Sequence, residues 1–181
     1  MVTVRPAEAA DLPSLPAIED AGDAQFAELF GSPDWPAGTS GEERAAEPGI
    51  LLVAVEEDGT VVGFAHVLDL DGHWHLEQIT VDPAHGRRGT GTRLLEAAHA
   101  AVALQGGAEV TLTTYADVPW NGPWYARHGY AVLEPLPEHL RPLEVGDEAF
   151  DLARHGRRVT MVRDLRDLRD RPRTGGRSGQ R

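Results

Sequence analysis

Apolar and polar positions alternate from Val2 to Arg5, the two-residue period of an edge strand. From Glu8 to Phe30 the period lengthens. This Ala-, Leu- and Glu-rich stretch is broken by Pro13, Pro16 and Gly22, which predicts two helices over about 8–21 and 23–30. Residues 31–49 are polar and predict a long loop with one helical turn; connections of that length are often functional. Two β-rich runs within 50–70 flank E-D-G-T and predict a hairpin on a D-G turn. A third strand follows over about 74–82. Residues 89–105 put Leu94, Leu95, Ala98, Ala101 and Val102 on one helical face, and Gly106-Gly107 ends that helix. Val110–Tyr115 predicts a strand. Pro119–His128 predicts a short helix that opens on proline and closes at Gly129, and Tyr130–Leu133 predicts another strand. A Pro-rich loop and a short helix near 147–154 occupy residues 135–157, and Val159–Arg163 is a final strand. Arg, Asp, Gly and Ser dominate 166–181, which predicts a disordered Arg-rich tail.

The strand at 74–82 carries one irregularity. Ile79 and Val81 share a face, and Leu76 is out of phase with them. A β-bulge near 77–79 restores the phase, and bulges recur beside active sites; a regular but untidy strand is the other reading.

A chain of 181 residues with 41% hydrophobic content has material for one substantial core and is short for two domains. The net charge of −12 argues against general nucleic-acid binding. Six Arg and two Asp give residues 166–181 a charge of +4, which leaves −16 on residues 1–165. An acidic body suits a cationic substrate such as an amine; it also serves ordinary solubility. With no cysteine, disulfides, thiolate catalysis and Cys-ligated metal sites are excluded. His73 and His75 share a strand without an evident third ligand, so no metal is expected. No apolar run reaches the length of a membrane span, and M-V-T-V-R-P begins a strand pattern rather than a secretion leader. A cytoplasmic protein without a membrane partner is expected.

The most informative stretch is V-D-P-A-H-G-R-R-G-T-G-T, residues 81–92. A strand enters it and a helix leaves it. A glycine-rich turn that opens a helix aims several free backbone N–H groups at one spot, where the helix dipole also favours negative charge. Such a turn holds a phosphate or diphosphate. No G-K-[ST] follows, which excludes a Walker loop, and G-x-G-x-x-G is missing, which disfavours a Rossmann site.

Three motifs occur in order: L-E-Q-I-T-V-D-P (76–83), R-R-G-T-G-T-R-L-L (87–95) and P-W-N-G-P-W-Y-A-R-H-G-Y (119–130). With the element order over residues 2–165, they resemble the GCN5-related N-acetyltransferase (GNAT) superfamily. The resemblance implies one α/β domain over residues 1–165. Its twisted, mostly antiparallel sheet of about seven strands is flanked by helices, with a splayed parallel pair at the cofactor site. It implies acetyl-CoA as co-substrate. The middle motif resembles the family's pyrophosphate loop, R/Q-x-x-G-x-G/A; its R/Q position falls on Gly86, beside Arg87 and Arg88. The implied cofactor-binding residues are Ile79, Thr80 and Val81 along the pantetheine arm, Arg87, Arg88, Gly89, Thr90, Gly91 and Thr92 around the diphosphate, and Asn121. A backbone N–H near Thr80 or Val81 would polarise the thioester carbonyl, as an oxyanion hole does. Asn121 either hydrogen-bonds the cofactor or starts the 119–128 helix.

The resemblance also implies roles in catalysis. Tyr125 is the candidate general acid beside the cofactor sulfur, since a phenol near pKa 10 is protonated where a thiol near 8.5 ionises; the other reading packs it under the sheet with Trp124. Glu77 is the candidate general base for an amine that arrives protonated, with His75, Asp117 and Glu134 as rivals; the other reading is an exposed sheet-face carboxylate. Trp35, Trp74, Trp120 and Trp124 either line an acceptor pocket or pack core and lid. The implied reaction is acetyl transfer from acetyl-CoA to a primary amine of a small molecule by direct attack on the thioester, the amine entering from the side of residues 23–49. Protein or peptide N-acetylation and a non-catalytic acyl-CoA-binding regulatory domain are the alternatives. Dimers are common among similar proteins, so a homodimer is a further expectation.

Overall fold

Strands β1 (Thr3–Pro6), β2 (Gly49–Val55), β3 (Val61–Leu70), β4 (His73–Val81), β5 (Glu109–Tyr115), β6 (Ala131–Val132) and β7 (Arg158–Asp164) join into one twisted sheet. The spatial order is β1-β2-β3-β4-β5-β7-β6. All neighbours are antiparallel except β4 and β5. The computed structural model describes residues 1–31, 38–141 and 152–169. Its helices are α1 (Leu15–Phe30), α2 (Gly41–Ala46), α3 (Thr90–Leu104), α4 (Gly122–Arg127) and α5 (Arg166–Arg169). A parallel pair needs a crossover, and α3 supplies it between β4 and β5.

The two helices expected over 8–21 and 23–30 are replaced by a 3-10 turn at Leu12–Ser14 and one continuous α1. Pro13 and Pro16 sit in first-turn positions, where the missing N–H has no intrahelical partner to lose. Gly22 does not stop the helix. It is buried where α1 crosses β4, and a Cβ there would stand 2.3 Å from Thr80 Oγ1. The glycine marks a close approach of helix to sheet. At the other end, Leu165 is fully buried and Leu168 packs on the core, so ordered chain continues through α5 beyond the boundary expected at residue 165. Trp35, residues 147–151 of the expected late helix and residues 170–181 of the expected tail lie outside the described residues; Leu152–His155 form a 3-10 turn.

Both faces of the sheet are covered. Leu52 and Ala54 of β2 pack towards Leu94, Leu95, Ala98 and Val102 of α3, while Val53 and Val55 meet Leu15 and Ile18 of α1. This explains why I-L-L-V-A-V is continuously apolar rather than alternating. Ala101 is only half-buried; His99 instead occupies the interior, with its Nε2 2.9 Å from the Tyr130 hydroxyl. Burial, followed by the nearby positive Arg163, lowers the His99 pKa to about 4. A neutral histidine in the fold that takes up a proton when unfolded makes stability fall with acid. The window opens below the ordinary value near 6.5 and closes near 4, and the full loss is about 3 kcal/mol. Urea midpoints measured from pH 7 to pH 4 are expected to fall more steeply for the native chain than for His99→Gln. Equal slopes would show that His99 does not set the acid sensitivity.

The middle of β4 positions the site. β3 residues His66 and Val67 are consecutive, yet they pair with Gln78 and Leu76, so Glu77 is the extra residue of a β-bulge. The phase slip read between Leu76 and Ile79 is thus a real bulge. The parallel ladder between β4 and β5 runs from Trp74↔Val110 to Leu76↔Leu112 and ends there, one residue before the bulge. Beyond it the two strands splay, while β4 remains paired with β3 as far as Val81.

Candidate active site

The splay opens into a cavity of about 1040 Å³. One half lies between Ile79–Val81, the 86–92 turn and α4; the other lies beneath α1 and α2. The first half contains the main-chain donors. Asp82 N–H donates to Val62 O at 2.9 Å, and alternation along the strand then turns the Ile79 and Val81 amides towards the β5 side. Gln78 Oε1 accepts from the Ile79 N–H at 3.0 Å. The Val81 N–H faces the splay.

Gly89 is the N-cap of α3 and adopts φ 77°, a left-handed conformation that glycine enters without the Cβ penalty. Arg87 is also left-handed, at φ 58°. No side chain caps α3. The first-turn amides of Thr90, Gly91 and Thr92 therefore point out of the helix end, into the positive end of a 15-residue dipole. A Cβ on Gly91 would meet only Trp124 and Val81, at 3.8 and 3.9 Å, which is ordinary contact. Nothing in the protein's own packing demands glycine there, although a group lying against the helix end would.

The expected phosphate residues divide. Arg87, Gly89, Thr90, Gly91, Thr92 and Asn121 line the cavity, as do Ile79, Thr80 and Val81. Arg88 does not; it points to Glu56, at 3.4 Å, on the outside of the turn. Thr92 Oγ1 lies 3.2 Å from His128 Nε2. Asn121 stands at the N-cap of α4 but makes no capping hydrogen bond, so its side chain is not spent on starting the helix.

Tyr125 lines the same cavity, with its ring edge-on to Trp124 and Tyr130 at 4.9 and 5.5 Å. Burial pushes its hydroxyl well above the usual phenol range, against the opposing pull of the Arg158 charge. It is held protonated at any neutral pH.

Glu77 leaves the bulge towards α2, and its carboxylate is part of a charged network. Arg44 of α2, 2% exposed, donates from Nη2 to both Glu19 oxygens at 2.8 Å and from Nη1 to Glu77 Oε2. His66 Nδ1 lies 3.3 Å from the same Oε2, and Gln78 Nε2 donates to Glu19 Oε1 at 2.8 Å. Burial pushes the Glu77 carboxyl up, but the hydrogen bond from His66 and the Arg44 charge outweigh it and hold the group below the usual carboxylate range. Asp23, one turn along α1 from Glu19, goes the other way. Burial, then the neighbouring Glu19 and Asp20 charges, raise it to about 6.

The rivals to Glu77 lie elsewhere. His75 is buried with Nδ1 2.9 Å from Thr111 Oγ1, Asp117 is exposed near Arg157, and Glu134 is on the surface; none lines the cavity. Trp74 belongs to the core, while Trp120 and Trp124 line the cavity. Phe26, Tyr115 and Trp120 form an aromatic wall on the α1 side, with Phe26 6.0 Å from Tyr115 and 5.7 Å from Trp120. Among the described residues, no group of three or more His, Cys, Asp or Glu is placed to hold a metal, and no helix is long and apolar enough to cross a membrane.

Sequence reasoning missed Glu19, Asp23, Arg44, His66 and Gln78. One signal was available. S-G-E-E at 40–43 is a capping box, and Ser40 and Glu43 form both of its hydrogen bonds. It would have fixed a helix over 41–46 and made Arg44 a helical residue.

The sequence model of the Acetyltransferase (GNAT) family matches residues 15–130. Among solved structures, a GNAT-family acetyltransferase from Staphylococcus aureus Mu50 superposes with a TM-score of 0.70 at 17% identity, over 91% of this chain and 99% of that one. The PaiA N-acetyltransferase of Thermoplasma acidophilum, solved in complex with coenzyme A, gives 0.66 at 15% identity over 91% and 99%. The ribosomal-protein-S18-alanine N-acetyltransferase of Escherichia coli gives 0.63 at 21% identity over 91% and 94%.

Proposed function

Because the chain belongs to the GNAT acetyltransferase family, we propose that it transfers an acetyl group from acetyl-CoA to the primary amine of a small cationic molecule. The observation that carries this is the cavity's division. One half offers unpaired amides and an arginine to a diphosphate, and the other offers carboxylates and aromatic rings to an ammonium. The amides of Thr90, Gly91 and Thr92, with Arg87, hold the diphosphate. The splayed edge of β4 pairs with the pantetheine amides, and the Val81 amide lies along the thioester. The coenzyme A bound by the Thermoplasma protein supports this reading of the fold.

Glu77 and the Phe26, Tyr115 and Trp120 rings receive the amine. The ammonium first gives one proton to solvent water. Once the neutral nitrogen has bonded to the thioester carbon it is strongly acidic, and Glu77, a weak carboxylate base, takes that second proton through water and passes it on. The carbon–sulfur bond breaks as the carbonyl re-forms, and coenzyme A departs as a thiolate. Tyr125 was expected to act as the acid there. With its pKa raised by burial, full transfer to a thiolate near 8.5 runs uphill. Its part is a hydrogen bond to the departing sulfur, and the proton that completes the thiol is the one released from nitrogen. The net change is amine plus acetyl-CoA to amide plus coenzyme A.

Asp23 gives the acceptor side a pH signature. A cation beside it favours its charged form, so the acceptor KM is expected to improve as pH rises through about 6. Asp23→Asn should flatten that dependence; an unchanged profile would remove Asp23 from acceptor binding. Coenzyme A release across spermidine, ethanolamine, amino acids and an alanyl peptide tests the function. Turnover of the small amines supports it. Turnover of the peptide alone would favour a protein acceptor, the class acted on by the Escherichia coli structure's namesake. Tight acetyl-CoA binding with no turnover would favour a regulatory domain.

A further inference from the structure

The Arg44 guanidinium is bonded on two sides. It is buried between α1 and β4, with Glu19 on one side and Glu77 on the other. Its Nε and the His66 Nε2 are buried without a hydrogen-bond partner among the described residues. Unsatisfied groups of this kind are costly and call for an explanation beyond stability. Replacing a buried ion pair by well-packed apolar residues is often neutral or stabilising, so stability alone does not account for this one. What the arrangement does accomplish is geometric. Both bonds to Glu77, from Arg44 and from His66, fall on Oε2, and Oε1 takes part in neither. The same guanidinium holds Glu19, which accepts from Gln78, whose Oε1 in turn caps the Ile79 amide. Arg44 thus joins the carboxylate of the acceptor side to the main-chain edge of the thioester side.

We propose that Arg44 is a positioning residue of this active site: it fixes the Glu77 carboxylate by Oε2 and leaves Oε1 for the amine and its water. The inference deepens the acetyltransfer reading and rests on it. The charged groups that face Glu77 are Arg44 from α2 and His66 from β3; Glu19 of α1 shares the Arg44 guanidinium and accepts from Gln78 of β4, and Asp23 of α1 interacts with Glu19 and Arg44. Glu19, Glu77 and Arg44 together leave one negative charge, so removing Arg44 leaves two facing carboxylates. Glu77 should then bind its proton at higher pH.

The test uses the full chain with carbon-13-labelled glutamate. In Arg44→Met the Glu77 carboxyl is expected to titrate at least about one pH unit higher than in the native protein. The acid limb of kcat, measured at saturating concentration of whichever panel amine turns over so that the Asp23 effect on KM drops out, should move with it. Turnover should fall at least about tenfold, with the calorimetric Kd for acetyl-CoA within about twofold. A merely structural Arg44 would move stability and leave the titration and the acid limb in place, and that result overturns the proposal. If Arg44→Met does not fold, Arg44→Lys keeps the charge and loses the two-sided fork. Its turnover should fall about fivefold or more at unchanged acetyl-CoA affinity, and native-like turnover in folded Arg44→Lys overturns the proposal. A native protein that acetylates no amine would count against the acetyltransfer reading; the carbon-13 titration would still decide whether Arg44 holds Glu77.

Discussion

Gly91→Leu is expected to weaken acetyl-CoA binding by roughly a hundredfold to ten-thousandfold while the protein melts no lower than the native chain. The argument separates two roles that glycine usually combines. The conformation at 91 is ordinary helix, and a Cβ meets nothing closer than 3.8 Å, so the fold tolerates a side chain. Glycine within a helix costs about 0.5–1 kcal/mol relative to better helix formers, so the substitution should add stability. A leucine at that place stands over the first-turn amides. Losing two hydrogen bonds to a charged diphosphate, at about 1.5–3 kcal/mol each, accounts for the predicted range. Calorimetry with acetyl-CoA and a thermal melt on the same sample check both halves. Native affinity in a folded Gly91→Leu would mean the diphosphate does not lie on this helix end. Gly89 is the less clean probe, because its φ of 77° strains any replacement and confuses folding with binding.

Tyr125→Phe is expected to lower turnover by about ten- to a hundredfold with little change in acetyl-CoA affinity. Phenylalanine keeps the edge-on contacts to Trp124 and Tyr130, so packing is preserved and only the hydroxyl is lost. The loss appears where charge develops on sulfur, which is in the chemical step rather than in binding. Steady-state kinetics together with a binding isotherm separate the two. Unchanged turnover would make Tyr125 a packing residue. A hydroxyl pushed up by burial also predicts no alkaline inflection from Tyr125 below pH 10.

Much of the architecture was legible because it follows from short-range rules. The two-residue period and the β-rich runs around a D-G turn gave the strands, and the phase slip between Leu76 and Ile79 located a bulge that the pairing of β3 with β4 puts at Glu77. The glycines at 86, 89 and 91 marked the strand-to-helix turn as a group, although only Gly89 adopts a left-handed conformation that calls for glycine. Gly22 misled for the opposite reason. Its meaning lies in Thr80, far away in sequence, and a lone glycine reads the same whether it ends a helix or admits a neighbour. The acceptor side was illegible on similar grounds. Glu19, Arg44, His66 and Glu77 come from four elements, and no local pattern announces that a tertiary contact will bury an arginine between two carboxylates. Arg88 shows the limit from the other direction. A motif supplies two adjacent arginines, and only the backbone turn decides that Arg87 lines the cavity while Arg88 faces Glu56.

A crystal structure of the coenzyme A complex tests the central reading most directly. The account predicts diphosphate oxygens within hydrogen-bond distance of the Thr90, Gly91 and Thr92 amides, and the pantetheine arm running along the splayed edge of β4 past Val81 towards Tyr125. A diphosphate bound anywhere else, or an arm that leaves that edge uncovered, would contradict it.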